Sequence, residues 1–236
     1  AIVFACLVAA IIPLSMAMKD PKREAVDPNA GRQQNLREAV GEAMGHRGFI
    51  LLTVGYFVCG YQVMFLGTHL PNFISEAGQN PWVGATALSL IGLLNIIGTL
   101  TWGALGGKFR MKYLLTSIYL LRSAVLAVYI MLPITAMSTY IFAAAIGLLW
   151  LATVPLTSGL VARMFGLRYM ATLTGIVFFS HQLGSFAGAW LGGVFFETTG
   201  SYDTIWWVGI ALGLVAAALH YPIDDKPVAR VQAEGA

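Results

Sequence analysis

Charged side chains are scarce in this sequence, and their scarcity indicates the class of protein. Only 11% of the 236 residues are charged, whereas roughly a quarter are charged in an ordinary soluble domain. Lys and Arg together number 14, and Asp and Glu number 11. These are too few polar groups to cover the surface of a water-soluble fold of this size. The sequence therefore predicts a protein surrounded by lipid.

Three further shortages exclude other classes. The net charge is only +3, and no run of Lys and Arg with interleaved aromatics occurs, so nucleic-acid binding has no basis. The two cysteines, Cys6 and Cys59, lie in apolar stretches where a thiol behaves as a small hydrophobic group, so we expect neither a disulfide nor a metal site. No Ser/His/Asp or Cys/His arrangement, H-E-x-x-H motif or P-loop appears, so we expect no enzyme, no cofactor and no ATP hydrolysis.

Long apolar runs are what the sequence has in abundance. A helix needs roughly 20 such residues to cross about 30 Å of hydrocarbon, whereas barrel strands alternate in segments of about ten. The runs here are continuous and about twice the strand length, so we predict an all-α membrane protein, a polytopic helical bundle. The seven runs are 1–18, 49–70, 82–105, 113–132, 140–161, 171–195 and 204–221.

The basic residues are distributed unevenly among the connections between these runs. The intervening connections contain no Lys or Arg at all. By the positive-inside rule, the basic side is the cytoplasm, and the chain ends there. Thirteen of the fourteen basic residues lie in 19–47, 108–112, 162–170 and 222–236.

The segment 19–48 is the longest polar stretch. Near its end, Leu36, Val40 and Met44 recur at four-residue spacing. This pattern fits a helix lying on the inner membrane face or on the bundle, and it fits a solvated linker equally well.

Two of the apolar runs contain related sequences. Aligned without gaps at an offset of 86, the stretches 95–107 and 181–193 share glycine at Gly98/Gly184 and end alike in Leu-Gly-Gly. The predicted topology sends the two runs across the membrane in opposite directions. The sequence therefore predicts an inverted repeat of two three-helix units, which is the plan of many secondary transporters.

With this topology, the chain from about residue 19 onward resembles the C-terminal half of a major facilitator superfamily transporter. The resemblance implies that 1–18 is the end of a preceding, truncated helix and that 19–48 is the family's central cytoplasmic loop. It further implies a six-helix transporter domain over 49–221 and a cytoplasmic tail over 222–236. For the first run a secretory signal is the alternative, but it would require a basic leader and a small-residue cleavage site.

The connection after the third run carries the family's loop motif in partial form. Gly103, Leu105, Lys108 and Lys112 fit the pattern G-x-L-a-D-R-x-G-R-[KR], whereas Gly107 stands where the acid belongs. Within the superfamily, bacterial relatives of monocarboxylate and oxalate/formate carriers look most similar. This resemblance implies a small organic anion as substrate, proton symport or exchange, and a bacterial inner membrane. It also implies a missing six-helix N-terminal half as partner.

Arg122 is the one basic residue placed near the middle of a run. Ten residues beyond Lys112, it lies about 15 Å along the helix, where a charge is costly and is usually functional or paired. It is a candidate counter-charge for a carboxylate, or alternatively a tether to the carbonyls at a helix end. The resemblance implies a peripheral helix for this run.

Other candidate substrate contacts are polar residues in the middle of the runs. His181 and Gln182 lie at the centre of the sixth run, and the repeat pairs His181 with Asn95. A neutral imidazole can bind an anion or take up a proton, and the alternative is a hydrogen bond between helices. Gln62 in the second run, and Trp150 and Thr157 on one face of the fifth, complete the set. Pro155 predicts a kink in the fifth run and is a candidate gate element.

The sequence thus favours a secondary transporter working by alternating access in the lipid bilayer. Its partners would be a small-molecule substrate and, where coupling is by symport, protons. A multidrug or neutral-solute exporter of the same superfamily is the first alternative. A seven-helix membrane receptor has the same topology, but it explains neither the repeat nor a start within apolar sequence.

Overall fold

The computed structural model describes residues 34–234, and these residues are helical throughout apart from short connections. The run 1–18 and the first part of the segment 19–48 lie outside the described residues. The helices are α1 (Leu36–Gly45), α2 (Arg47–Glu76), α3 (Pro81–Gly106), α4 (Met111–Met131), α5 (Ala136–Leu149), α6 (Thr153–Phe165), α7 (Met170–Thr199), α8 (Asp203–His220) and α9 (Ala229–Glu234).

Six of the seven predicted runs fall on described residues, and all but the fifth run form one helix each. Five segments there are long and apolar enough to cross a membrane: α2, α3, α4, the stretch Ala136–Phe165, and α8. The 30-residue α7 is not among the five, since His181 and Gln182 in its middle lower its mean hydropathy. The described residues therefore form the all-α helical membrane bundle that the composition predicted.

The helices extend further than the apolar runs in two places. Helix α2 continues through Pro71 to Glu76, so the connection predicted over 71–81 is only a few residues long. Helix α7 likewise runs past the predicted end of its run, to Thr199. Both predictions were short because the runs were defined by apolarity, whereas a helix can continue beyond the apolar layer with polar residues.

The fifth run was predicted as one helix and is two. Helix α5 ends at Leu149, α6 begins at Thr153, and the residues between them are not helical. Together the two helices occupy the length of one membrane span.

The packing of the helices follows the internal repeat. Exchanging the two three-helix units replaces α2 by α5–α6, α3 by α7 and α4 by α8. The most extensive contacts are α2 with α7 and α3 with α5, and this exchange converts one pair into the other. The next most extensive pair, α4 with α8, is converted into itself.

The paired glycines of the repeat lie at these two contacts. A Cβ atom on Gly184 in α7 would collide with the backbone carbonyl of Phe57 in α2. A Cβ atom on Gly98 in α3 would collide in the same way with the carbonyl of Leu148 in α5. Both glycines let two helix backbones approach closely, as small residues do in membrane bundles.

The segment before α2 forms the predicted helix, α1, but with a different buried face. Ala39 and Ala43 are its buried residues, whereas Leu36 and Met44 are 47% and 51% exposed. Of the alternatives offered by the spacing of Leu36, Val40 and Met44, packing on the bundle holds for Val40, whereas Leu36 and Met44 face outward. Small alanine side chains let the helix lie closer to the bundle, and only Val40 of the three packs against the core.

The buried apolar residues form two clusters that meet in the middle of the bundle. One contains Phe49, Leu115 and Phe165, and the other contains Ile74, Tyr129 and Trp206. Helix α4 contributes to both, with Leu115 to Tyr119 in the first and Leu126 to Tyr129 in the second. Arg122 falls between these two stretches, so the polar residues described next lie where the apolar clusters join.

Candidate functional site

The interruption between α5 and α6 is the centre of the candidate site. Pro155 explains why the helix cannot run through, because its ring would clash with the carbonyl of Leu151, four residues earlier. Pro155 itself lies in the first turn of α6, where its missing N–H leaves no helix bond unmade. The interruption instead frees backbone groups of residues 149–151, which need partners in an apolar environment.

Arg122 of α4 donates hydrogen bonds to the carbonyls that the interruption frees. Its Nε and Nη2 donate to the Leu149 carbonyl at 3.1 and 2.7 Å, and Nη2 also donates to the Trp150 carbonyl. The side chain is only 2% exposed, and the Tyr119 ring lies 5.7 Å from its guanidinium carbon. Because the carbonyl end of a helix carries partial negative charge, α5 itself acts as a counter-charge for the guanidinium. These contacts correspond to the tether that the sequence offered as one of two roles.

Asn95 of α3 supplies the partner on the other side of the interruption. Its Oδ1 accepts a hydrogen bond from the Leu151 N–H at 2.9 Å and another from the Thr99 hydroxyl at 3.1 Å. The side chain is partly exposed. Side chains from two other helices, α4 and α3, thus form hydrogen bonds with the carbonyls and the N–H that the break frees.

Cys59 of α2 lies beside this arrangement, and sequence reasoning missed it. It is fully buried, with Sγ 3.2 Å from the Thr153 hydroxyl and 3.4 Å from Nη1 of Arg122, which donates to it. The next residue, Gly60, packs so closely on α7 that a Cβ atom there would collide with the backbone carbonyl of His181. The only sequence signal was its place on one helical face with Gly55 and Gln62. A thiol in an apolar run gave no sign of polar partners.

His181 of α7 stands at the edge of this network. Its Nδ1 lies 3.3 Å from Oε1 of Gln182 and 3.4 Å from the Ser185 hydroxyl, and its ring packs 5.0 Å from the Tyr56 ring. Nε2 is buried and has no hydrogen-bond partner among the described residues. Gln182 is exposed. The pair therefore joins an open surface of α7 to the buried polar network.

Gln62 and Thr157 are buried, so the structure places neither on an open surface. Gln62 is 3% exposed and donates from Nε2 to the Gly209 carbonyl at 2.9 Å. With Arg122 and Trp150 it lines a small pocket that has no room for a water molecule. Thr157 is fully buried, and its hydroxyl has no hydrogen-bond partner in the described part of the chain.

The residues of the loop motif lie apart from this network. Gly103 faces Pro155, and a Cβ atom on this glycine would lie 3.5 Å from the proline ring. Lys108 is exposed in the connection before α4. Lys112 is buried, and its Nζ donates to the Ile223 carbonyl at 2.7 Å. Leu105 is partly buried near the end of α3.

The residues after α8 pack against this same connection. Arg110 donates through Nε and Nη2 to the two oxygens of Asp225, whose side chain is 2% exposed. The hydrogen bonds from Arg110 lower the pKa of Asp225. The described part of the predicted tail, residues 222–234, therefore packs against this connection and includes the short helix α9.

Comparison with known proteins decides the family. Residues 1–189 match the Major Facilitator Superfamily. The chain belongs to this superfamily. A Bacillus subtilis (strain 168) protein described as an uncharacterized MFS-type transporter, YcxA, is 27% identical over 186 residues. That match covers 76% of this chain and 45% of the relative, so the chain spans about half the length of the relative it matches.

The superfamily is one of membrane transporters and not of enzymes. The described polar network lies on the helices of such a bundle. The superfamily match names neither a substrate nor a coupling ion.

Proposed function

We propose that this chain is the C-terminal half of a secondary transporter that carries a small organic anion, such as a monocarboxylate, by alternating access. Transport is coupled to proton symport or to exchange. In this proposal 1–18 ends a preceding helix, 19–48 is a central cytoplasmic loop, 49–221 is the six-helix domain and 222–236 is the tail. The relative's length, about twice that of this chain, supports the assignment to one half.

The distribution of charge within the helices is the observation that carries the choice of an anion. In the described membrane helices, Arg122 is the charged residue at mid-depth, whereas the acidic residues Glu76, Glu197 and Asp203 stand at or near helix ends. No carboxylate among the described residues pairs with Arg122, and the partial charge of α5 offsets its charge only in part. In a low-dielectric interior this residual positive field favours a negatively charged substrate.

The groups proposed to contact the anion are His181, Gln182 and Asn95. The imidazole and the two amides can donate hydrogen bonds to a carboxylate, and each of the three side chains is at least partly exposed. His181 can also exchange a proton near neutral pH, which suits proton coupling. Arg122 contributes through its field, since its donors are directed at backbone carbonyls.

The remaining predicted residues take supporting roles in this proposal. Gln62, Trp150 and Thr157 form the packed wall behind the anion, and Pro155 makes α5–α6 a gate element. In this proposal the loop motif and the C-terminus lie on the cytoplasmic side of a bacterial inner membrane. The motif residues are Gly103, Leu105, Lys108 and Lys112.

The test is uptake of labelled monocarboxylates into proteoliposomes containing the complete carrier. We expect uptake that depends on the pH gradient or on internal anion, and we expect His181→Ala to reduce it and flatten its pH dependence. Gln79→Ala is the control, because Gln79 bonds to the Ile134 carbonyl in a connection between helices. Unchanged transport and pH dependence in His181→Ala would remove His181 from the mechanism.

A neutral-solute or multidrug exporter is the second candidate, and one observation favours it. The exposed residues of α7 around Gln182 are apolar, namely Phe179, Leu183, Phe186 and Trp190. Such a surface suits contact with apolar solutes, and it also suits contact with the other half of the carrier. Efflux of apolar dyes without uptake of any acid would favour this candidate.

A further inference from the structure

The interruption of the α5–α6 span is built so that two side chains determine its geometry. A membrane helix broken by proline needs new partners for the backbone groups that the break frees. Here Arg122 takes the carbonyls of Leu149 and Trp150, and Asn95 takes the N–H of Leu151. The two side chains come from α4 and α3, so the break is held by contacts from both sides and not by its own helix.

The two contacts differ in strength, which gives the break a fixed end and a releasable end. Arg122 is fully buried and makes charge-assisted hydrogen bonds, which are roughly twice as strong as neutral ones. Asn95 is partly exposed, and a single neutral hydrogen bond joins it to Leu151. The carbonyl end of α5 is therefore the stationary side, and the start of α6 is the side that can move.

A movement of α6 reaches His181 through Thr153 and Cys59. Thr153 is the first residue of α6, and its hydroxyl contacts the Cys59 thiol at 3.2 Å. Cys59 precedes Gly60, whose backbone packs so closely on α7 that a Cβ atom there would collide with the backbone carbonyl of His181. Thr153 and His181 thus contact the same turn of α2, so a change of angle at the break would reach the histidine through this turn.

We propose that Arg122 and Asn95 are positioning residues that set the angle between α5 and α6 at Trp150–Ala152, and that this angle controls the surroundings of His181 through Thr153 and Cys59. The part that concerns His181 rests on the proposed function. The part that concerns the angle does not, because it follows from the backbone contacts alone.

The angle is followed through the distance between two spin labels, one on either side of the break, measured by double electron–electron resonance. Ile141 on α5 is 64% exposed and Leu167 after α6 is 78% exposed, so Ile141→Cys and Leu167→Cys provide the label sites. Native Cys59 is fully buried and is retained, whereas accessible cysteines of the complete carrier are replaced by serine. No substrate is added, so the distance distribution reports the break whether or not the carrier transports an acid.

We expect Arg122→Gln to shift and widen the distance distribution, since its amide cannot replace the three guanidinium hydrogen bonds to the Leu149 and Trp150 carbonyls. Asn95→Ala should widen it less, and Arg122→Lys should restore part of the wild-type distribution. Arg168→Gln is the matched control, because it removes an exposed arginine that has no contact with the break, and its distribution should equal that of the wild type.

A kinetic measurement separates positioning from substrate contact. In labelled-monocarboxylate exchange, Arg122→Lys keeps the charge but loses the planar fork, so it is expected to lower kcat about tenfold more than it raises KM, since a positioning residue acts on the conformational step. If Arg122→Gln does not fold, Asn95→Ala and Arg122→Lys carry the distance measurement. Wild-type distributions in folded Arg122 and Asn95 variants would overturn the proposal, whereas altered distributions without exchange of any labelled monocarboxylate would refute the proposed substrate and leave the hinge supported.

Discussion

Arg110 and Arg122 lie close together in the sequence, but their positive charges have different kinds of partner. Arg110, just before α4, has a side chain 48% exposed and pairs with the carboxylate of Asp225. Arg122, near the middle of α4, is 2% exposed and donates to backbone carbonyls. One is an ion pair at the end of the bundle, and the other is a charge held by the end of a helix.

The difference shows what each environment requires. At the bundle end, solvent reaches the half-exposed Arg110 and weakens the interaction, and the buried Asp225 can take up a proton when Arg110 is removed. In the middle of the bundle, lipid cannot donate hydrogen bonds, so it cannot replace Arg122 as the donor to the carbonyls of Leu149 and Trp150. The same side chain is therefore replaceable in the first place and essential in the second.

The largest expected effect is the loss of Arg122. Arg122→Leu leaves two freed carbonyls without donors, which costs about 3 kcal/mol of folding free energy. We expect a large fall in the unfolding temperature of the purified carrier in detergent. Arg110→Leu should cause a much smaller fall, since Asp225 can then take up a proton. Equal falls for the two variants would show that the comparison is wrong.

Exchange for lysine is expected to have an intermediate effect. Lysine has a single charged nitrogen and lacks the planar fork of arginine. At position 122 it cannot reproduce the arrangement of Nε and Nη2 on two carbonyls, so Arg122→Lys should lower the unfolding temperature, though less than Arg122→Leu. At position 110 it can still pair with Asp225, and Arg110→Lys should resemble the wild type. A loss in Arg110→Lys as large as that in Arg122→Lys would contradict this account.

The smallest effect is the pH dependence of the Arg110–Asp225 pair. Arg110 lowers the pKa of Asp225 below its unfolded value, so the pair contributes stability above the unfolded pKa, about 4. That contribution disappears as the pH falls through the folded pKa. The difference in unfolding temperature between the wild type and Asp225→Asn should be constant from about pH 6 to 8 and shrink below about pH 4.

The same pH series on Arg122→Leu supplies the counterpart in the middle of the bundle. No carboxylate pairs with Arg122 among the described residues, so the difference between the wild type and Arg122→Leu should not shrink in acid. A difference that disappears in acid for both sites would show that Arg122 depends on a carboxylate outside residues 34–234.

Local pattern was enough to predict much of this fold. The apolar runs located the helices of the described bundle, and the matched glycines Gly98 and Gly184 indicated an inverted repeat, whose two copies make equivalent close contacts between helices. These features are periodic or repeated along the chain, so they are visible in a single sequence. The ends of helices were less predictable, because α2 and α7 extend past the apolar residues that revealed them.

Contacts between distant parts of the chain were not predictable in this way. Pro155 indicated a distortion of the fifth run, but the interruption lies three to five residues earlier, and its partners come from Asn95 and Arg122. Asp225 lies far from Arg110 in sequence, and nothing local marks them as a pair. Cys59 was interpreted as a small apolar residue, since its polar partners lie on other helices.

The most direct measurement of the central claim compares an acid with its neutral amide. Labelled lactate and labelled lactamide have nearly the same size and shape and differ in the charge that the interior of this bundle is proposed to select. In proteoliposomes containing the complete carrier, we predict exchange of lactate or another small monocarboxylate and none of the matched amide. Equal transport of acid and amide, or transport of the amide alone, would contradict the proposal that this carrier moves an organic anion.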